Sequence, residues 1–194
     1  MNSAEKIKDL QSLVIKNKRR IWKPYMEKYH CDIIAELGVC TGVNFKFMIE
    51  SNPKLAVAVD AWIEDGTVSR NDSAFTQEVL DFQHDTFKKE MEAFPFVNIC
   101  REYTFDAANR FPDNYFDLVY VDADHTYDGC MRDLVSWWPK MKKGGTFVGD
   151  DYCHSMAKPT RIRFKVIEAV DDFAKANNLG VADLPRDGWV IIKP

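Results

Sequence analysis

The sequence has no apolar run approaching the ~20 residues that a helix needs to cross a bilayer, and residues 1–10 lack the apolar core of a signal peptide. A cytoplasmic protein is the expectation. Cysteine is sparse and unpatterned: Cys31, Cys40, Cys100, Cys130 and Cys153 are odd in number, and no two have the C-x-x-C spacing of a metal or redox pair. That argues against a disulfide framework and a structural zinc site. A basic excess is missing too, since the formal charge is −4 and the pI near 5.6. General binding to nucleic acid or an anionic membrane is therefore disfavoured. No internal repeat or low-complexity tract divides the chain. With 194 residues, 46% of them hydrophobic, it is long enough for one well-packed domain and short for two. Residues 1–194 are expected to form a single domain, with 1–30 as a helical extension that could serve a dimer or a substrate lid.

What the chain does have is a strand–helix–strand pattern with acid at both strand ends. Two apolar runs, Phe116–Val121 and Thr146–Val148, lead into Asp122-x-Asp124-His125 and Asp150-Asp151. Between them Met131, Leu134, Val135 and Trp138 recur at i, i+3, i+4 and i+7, one face of a helix. Strands joined by a crossover helix pair in parallel, so these acidic tips are expected side by side, on the edge where open α/β sheets bind ligands. A single aspartate at a strand end commonly caps a turn. The whole set together requires a cation or shared protons to offset repulsion, and its hard oxygens suit Mg²⁺ or Ca²⁺. His30, His84 and His154 have no metal-type spacing, whereas His125 stands inside the acidic tip.

Upstream, the pattern predicts helices over Ala4–Arg20 and Ile21–Tyr29, then a strand over Cys31–Leu37 that enters Glu36-x-Gly38-x-x-x-Gly42 and a helix over Val43–Glu50. A strand turning through two glycines into a helix N-terminus lets a ligand approach the backbone closely. The next strand, Leu55–Val59, ends in Asp60, about twenty positions past the glycine turn and placed to accept from ribose hydroxyls. A nicotinamide dinucleotide fits poorly, because the third glycine is missing and Glu36 would repel a pyrophosphate. A cationic ligand such as S-adenosylmethionine fits better. Residues 61–71 are expected to loop over the site, with Trp62 either a lid on the nucleoside or ordinary packing. A helix over Ser73–Ala93 is expected to turn Phe75, Val79, Phe82, Phe87 and Met91 inward. A strand over Phe96–Cys100 brings Tyr103 and Thr104 near the base. Arg161, Arg163 and Lys165 could meet a polar or anionic substrate group, or form a solvated surface. Gly180–Asp183 and Trp189–Ile192 read as a closing hairpin.

On these residues, the Glu36-to-Gly42 turn, Asp60, Asp122-x-Asp124-His125, and the run from Lys142 to Tyr152 with its Asp150-Asp151 pair, the chain resembles the class I S-adenosylmethionine-dependent methyltransferases. It is similar to small enzymes of the Methyltransf_24 type and to metal-dependent sugar, macrolide and catechol O-methyltransferases. The resemblance implies a single-domain, Rossmann-like α/β fold: a seven-stranded, mostly parallel sheet of order 3-2-1-4-5-7-6 with helices on both faces. It implies that Glu36, Gly38 and Gly42 hold the amino-acid end of the cofactor, with Thr41 and Asn44 as further cofactor contacts. Asp60 would hold the ribose, with Trp62, Tyr103, Thr104 and Asp122 as further contacts. It also implies a divalent cation, Mg²⁺ or another, on Asp122, Asp150 and Asp151, and His125 as general base; in some sugar-modifying relatives the acid at the Asp124 position takes that part. The acceptor would be a hydroxyl on a small molecule. The rivals are a metal-independent methyltransferase, a nicotinamide-dependent oxidoreductase and a binding module that has lost catalysis.

Overall fold

The computed structural model describes residues 2–16, 20–64, 76–153 and 164–194. Five parallel strands, β1 (Ile33–Leu37), β2 (Leu55–Asp60), β3 (Val97–Arg101), β4 (Phe116–Val121) and β5 (Met141–Gly149), are closed by the hairpin β6 (Ala182–Leu184) and β7 (Gly188–Ile192). The order is β3-β2-β1-β4-β5-β7-β6, with β7 antiparallel to both β5 and β6. This is the Rossmann-like methyltransferase sheet that the resemblance implies. Its interior strands are apolar on both faces, as buried parallel strands must be. Ala56, Ala58, Leu118 and Tyr120 join one core and Val57, Val59, Val119 and Val121 the other, following the two-residue period of a strand.

Helices α1 (Ser3–Lys16), α2 (Trp22–Tyr29), α3 (Val43–Ile49) and α4 (Gln77–Met91) cover the first face; α5 (Thr104–Ala107), α6 (Tyr127–Trp137) and α7 (Val166–Ala176) cover the second. The N-terminal pair is part of the core. Leu10, Val14, Trp22, Tyr25, Met26 and Tyr29 are all buried, and the Tyr25 and Thr146 hydroxyls share a buried hydrogen bond of 2.9 Å. Lys6, also buried, donates to the Gly144 carbonyl at 2.8 Å. No helix among the described residues is long and apolar enough to cross a membrane.

Two helices are turned differently from their predicted stripes. In α6 the buried face is Cys130, Asp133, Leu134 and Trp137, one residue earlier than expected, and Val135 is 56% exposed. In α4 the buried residues are Leu80, Phe87 and Met91, while Phe82 is 72% exposed and Val79 also faces outward. Phe75 lies outside the described residues.

At the sheet centre the chain reverses direction of winding between β1 and β4. The register pairs Val59 with Leu37, Leu37 with Val121, and Val121 with Gly149. The next residues, Asp60, Gly38, Asp122 and Asp150, therefore form a row along one rim. At a strand spacing of ~4.8 Å, Asp60 and Asp122 stand about 10 Å apart across the glycine turn.

Candidate active site

The glycine turn is set by what lies beneath it. Gly38 has φ +84°, and a Cβ there would fall 2.0 Å from the Asp122 carbonyl oxygen, so only glycine lets the β1 and β4 tips close. Its N–H donates to Val59 O, and the Asp122 N–H to Leu37 O, each at 2.8 Å. Gly42, φ +75°, begins α3, and a Cβ there would enter the Phe87 ring at 2.4 Å. Asp60 ties the turn to the loop after β2: it accepts from the Cys40 N–H through one oxygen and the Trp62 N–H through the other, both at 2.8 Å. Each carboxylate oxygen keeps a second lone pair for a ligand.

Beside this turn opens a cavity of about 320 Å³, lined by Gly38, Asp60, Trp62, Tyr103, Thr104 and Asp124 together with residues of α6. Trp62 is a fixed wall: its ring is buried, its indole N–H donates to Cys40 O at 2.9 Å, and it packs on Phe87 and His84. Tyr103 stacks on Phe105, centroids 5.4 Å apart. Asp124 is held by the Thr126 N–H at 2.9 Å and lies over Gly129 in the first turn of α6. Glu36, Thr41, Gly42, Asn44 and Asp122 lie outside the cavity wall.

Glu36 is buried beneath the turn. Its Oε1 accepts from Asn44 Nδ2 at 3.1 Å, and Asn44 Oδ1 accepts from the Trp22 indole at 2.7 Å. Glu36 Oε2 has no partner among the described residues. Burial pushes this carboxyl well above the usual range; the Asn44 hydrogen bond opposes that, and the charges of Asp122 and Asp60 add to it. A cationic group placed at Oε2 would offset the burial and the two neighbouring charges.

At the β4 and β5 tips the ligand atoms of Asp122, His125 and Asp151 lie within 4.8 Å of one another, a span that one cation can bridge. His125 Nε2 is 3.1 Å from Asp122 Oδ1 and 2.7 Å from Asp151 Oδ2. Burial pulls the imidazole pKa down, but the two carboxylate hydrogen bonds outweigh it and lift the pKa to about 10. Two carboxylates and one imidazole suit Mn²⁺ or another transition ion as well as Mg²⁺. Asp150 is not in this group; it accepts from the Tyr120 hydroxyl at 3.3 Å. Both residues lie past the end of β5, and Asp151 has φ +58°, so strand alternation does not apply and the backbone turns between the two carboxylates. Of the basic trio, Arg161 and Arg163 lie outside the described residues. The Lys165 ammonium pairs with Glu168, and its N–H donates to His125 O at 2.9 Å.

Several residues of the cavity wall, among them Ile63, Phe105, Arg132 and Asp133, are not singled out by the sequence. Asp133 sits in the buried stripe of α6 and takes the Thr104 hydroxyl on Oδ1, while Oδ2 has no partner among the described residues. Its signal was an acid at i+3 between Cys130 and Leu134, hidden because the neighbouring series Met131, Leu134, Val135, Trp138 is wholly apolar.

A seven-stranded sheet of this order, with a glycine turn at its switch point, is the architecture of the class I methyltransferases. The family model described as a methyltransferase domain matches residues 35–152, more than half of the chain, and the chain belongs to that family. Membership supports S-adenosylmethionine as methyl donor. A structure from Staphylococcus aureus assigned as a caffeoyl-CoA O-methyltransferase superposes with TM-score 0.64 at 15% identity, over 97% of this chain and 92% of that one. One from Klebsiella pneumoniae assigned as an O-methyltransferase gives 0.62 at 12%, over 99% and 90%. The Bacillus cereus O-methyltransferase in complex with SAH gives 0.59 at 10%, over 100% and 92%. At such identities the likeness establishes the fold. A search of curated proteins finds no significant match.

Proposed function

We propose that the protein transfers a methyl group from S-adenosylmethionine to a hydroxyl of a small molecule, a sugar or other natural product, with help from a divalent cation. The observation that carries this reading is the adjacency, on one sheet rim, of the cavity under Asp60 and the Asp122–His125–Asp151 group. S-adenosylmethionine supplies an electrophilic methyl on a sulfonium. In this reading Glu36, through its unpartnered Oε2, receives the cofactor ammonium, with Asn44 and the Gly38–Gly42 turn around it. Thr41, exposed at that turn, is a contact from the solvent side. Asp60 receives ribose hydroxyls on its free lone pairs, and Trp62, Tyr103 and Thr104 enclose the nucleoside.

Asp122, His125 and Asp151 would hold the cation, which lowers the pKa of an acceptor hydroxyl and fixes its position. His125 and Asp124 are the two candidate bases. His125 keeps its proton while both carboxylates bear on it; it takes the acceptor's proton only where Asp122 and Asp151 hold the cation without it, because an imidazole bound through Nε2 has no lone pair left there, and where His125 is a ligand the base is Asp124. Asp124 lies on the cavity side, restrained by the Thr126 N–H. A second reading has its own support: His125 already satisfies both carboxylates without a cation, as a metal-independent methyltransferase would require.

The test is methyl transfer from isotopically labelled S-adenosylmethionine across panels of sugar, polyketide and phenolic acceptors, with Mg²⁺ or Mn²⁺ and with excess EDTA. Activity lost in EDTA and restored by the ion supports the cation-assisted reaction. Full activity in EDTA removes the cation and leaves the transferase.

A further inference from the structure

Trp62 adopts φ +44°, a left-handed backbone that a bulky residue keeps only where its surroundings impose it. Every polar group of the residue is engaged. Its N–H donates to Asp60 Oδ1 at 2.8 Å and its indole N–H to Cys40 O at 2.9 Å, while Asp60 Oδ2 takes the Cys40 N–H at 2.8 Å. These bonds close a ring in which Cys40, φ +52°, is left-handed as well. Each Asp60 oxygen is thus tied to a left-handed residue, and the aim of the carboxylate depends on both staying so.

The Trp62 carbonyl is gripped from outside that ring. It accepts from the Arg101 guanidinium at 3.1 Å and from the Gln77 side-chain amide at 3.0 Å. Asp81 Oδ1 joins the same two donors, taking Gln77 Nε2 at 2.9 Å and pairing with Arg101. Gln77 begins α4 and Arg101 ends β3, so the clamp fastens the loop after β2 to two separate elements. The β2–β3 register sets Arg101 opposite Asp60, yet the two form no ion pair among the described residues. Nor does Arg101 line the cavity. Its charge is spent on Trp62 O and Asp81, which leaves the second lone pair of each Asp60 oxygen open to a ligand.

We propose that Arg101 is a positioning residue of the ribose site: by holding the Trp62 carbonyl it keeps Trp62 left-handed, and thereby fixes the direction in which Asp60 presents its lone pairs. The proposal rests on the S-adenosylmethionine reading above. Without the guanidinium, Trp62 relaxes toward an ordinary backbone and its N–H leaves Asp60 Oδ1. The carboxylate is then held by the Cys40 N–H alone and meets the ribose hydroxyls in several orientations. Binding weakens although no residue that touches the cofactor has changed.

The experiment is a double-mutant cycle on the full chain: S-adenosylhomocysteine is titrated calorimetrically into wild type, Arg101→Met, Asp60→Ala and the double variant, with circular dichroism as the check on folding. Arg101→Met is expected to weaken binding about tenfold, the order of one hydrogen bond lost to a charged group. In the Asp60→Ala background the same substitution should change affinity by less than about twofold, because its effect passes through Asp60. A merely structural role would give the same loss in both backgrounds, and that result overturns the proposal. So does a folded Arg101→Met with wild-type affinity. Should Arg101→Met not fold, Gln77→Leu removes the other donor to the same carbonyl and is read against Asp60→Ala in the same way. If the wild type binds no S-adenosylhomocysteine, it is the cofactor reading that falls, so the two failures are distinct.

Discussion

His125 Nε2 carries one hydrogen and faces two carboxylates, so its proton occupies the place that a cation would take. The two compete, and pH decides between them. The folded pKa, about 10, lies above the ordinary ~6.5. Without metal, the stability that His125 contributes is therefore complete below ~6.5, declines as pH rises, and is gone above about 10. In EDTA, the difference in melting temperature between wild type and His125→Gln should shrink across that window; parallel curves would refute the pairing. A second prediction separates neighbours that the sequence presents as equals. Asp151→Asn should abolish Mn²⁺ binding measured by calorimetry, and Asp150→Asn should retain it, because Asp151 pairs with His125 whereas Asp150 takes the Tyr120 hydroxyl. Loss in both variants would favour a set that includes Asp150. The Asp150-Asp151 pair was legible as an acidic tip, but which member turns toward His125 depends on backbone direction at the end of β5, where Asp151 adopts φ +58°.

At the scale of elements, the glycine turn is the most constrained piece. Gly38→Ala places a methyl against the Asp122 backbone and also strains a positive φ, at a cost of at least about 2 kcal/mol. It should both lower the melting temperature and remove S-adenosylhomocysteine binding; a variant with wild-type stability would mean the turn can relax. The strands could be read closely from sequence because buried parallel strands are continuous apolar runs bounded by polar residues. Helix faces were harder. In α6 two series with identical spacing overlap, and the one carrying Asp133 is the buried one. In α4 the stretch carries several large apolar residues, and Phe82 lies two positions from the buried Leu80, on the other side of the helix. A single sequence cannot tell which stripe meets the sheet, since either side offers apolar surface.

Across the whole molecule, α1 and α2 precede the methyltransferase-domain match yet complete the first core. Trp22, Tyr25 and Met26 fill the space against Tyr120, Thr146 and Ser51. Their amphipathic pattern was visible in the sequence, but not the surface they cover, because that surface is assembled from segments 25 to 121 residues further along the chain. Removing residues 1–30 should abolish cooperative thermal unfolding by circular dichroism, and Trp22→Ala alone should cost about 3–5 kcal/mol. A truncated chain that unfolds cooperatively would make the segment a true appendage. The central claim is that the β1, β2 and β4 tips form one nucleoside crevice, and calorimetric titration of S-adenosylhomocysteine into wild type and Asp60→Ala tests it most directly. The account predicts saturable one-site binding in the wild type, weakened at least about tenfold in a folded variant; unchanged affinity in Asp60→Ala would contradict it.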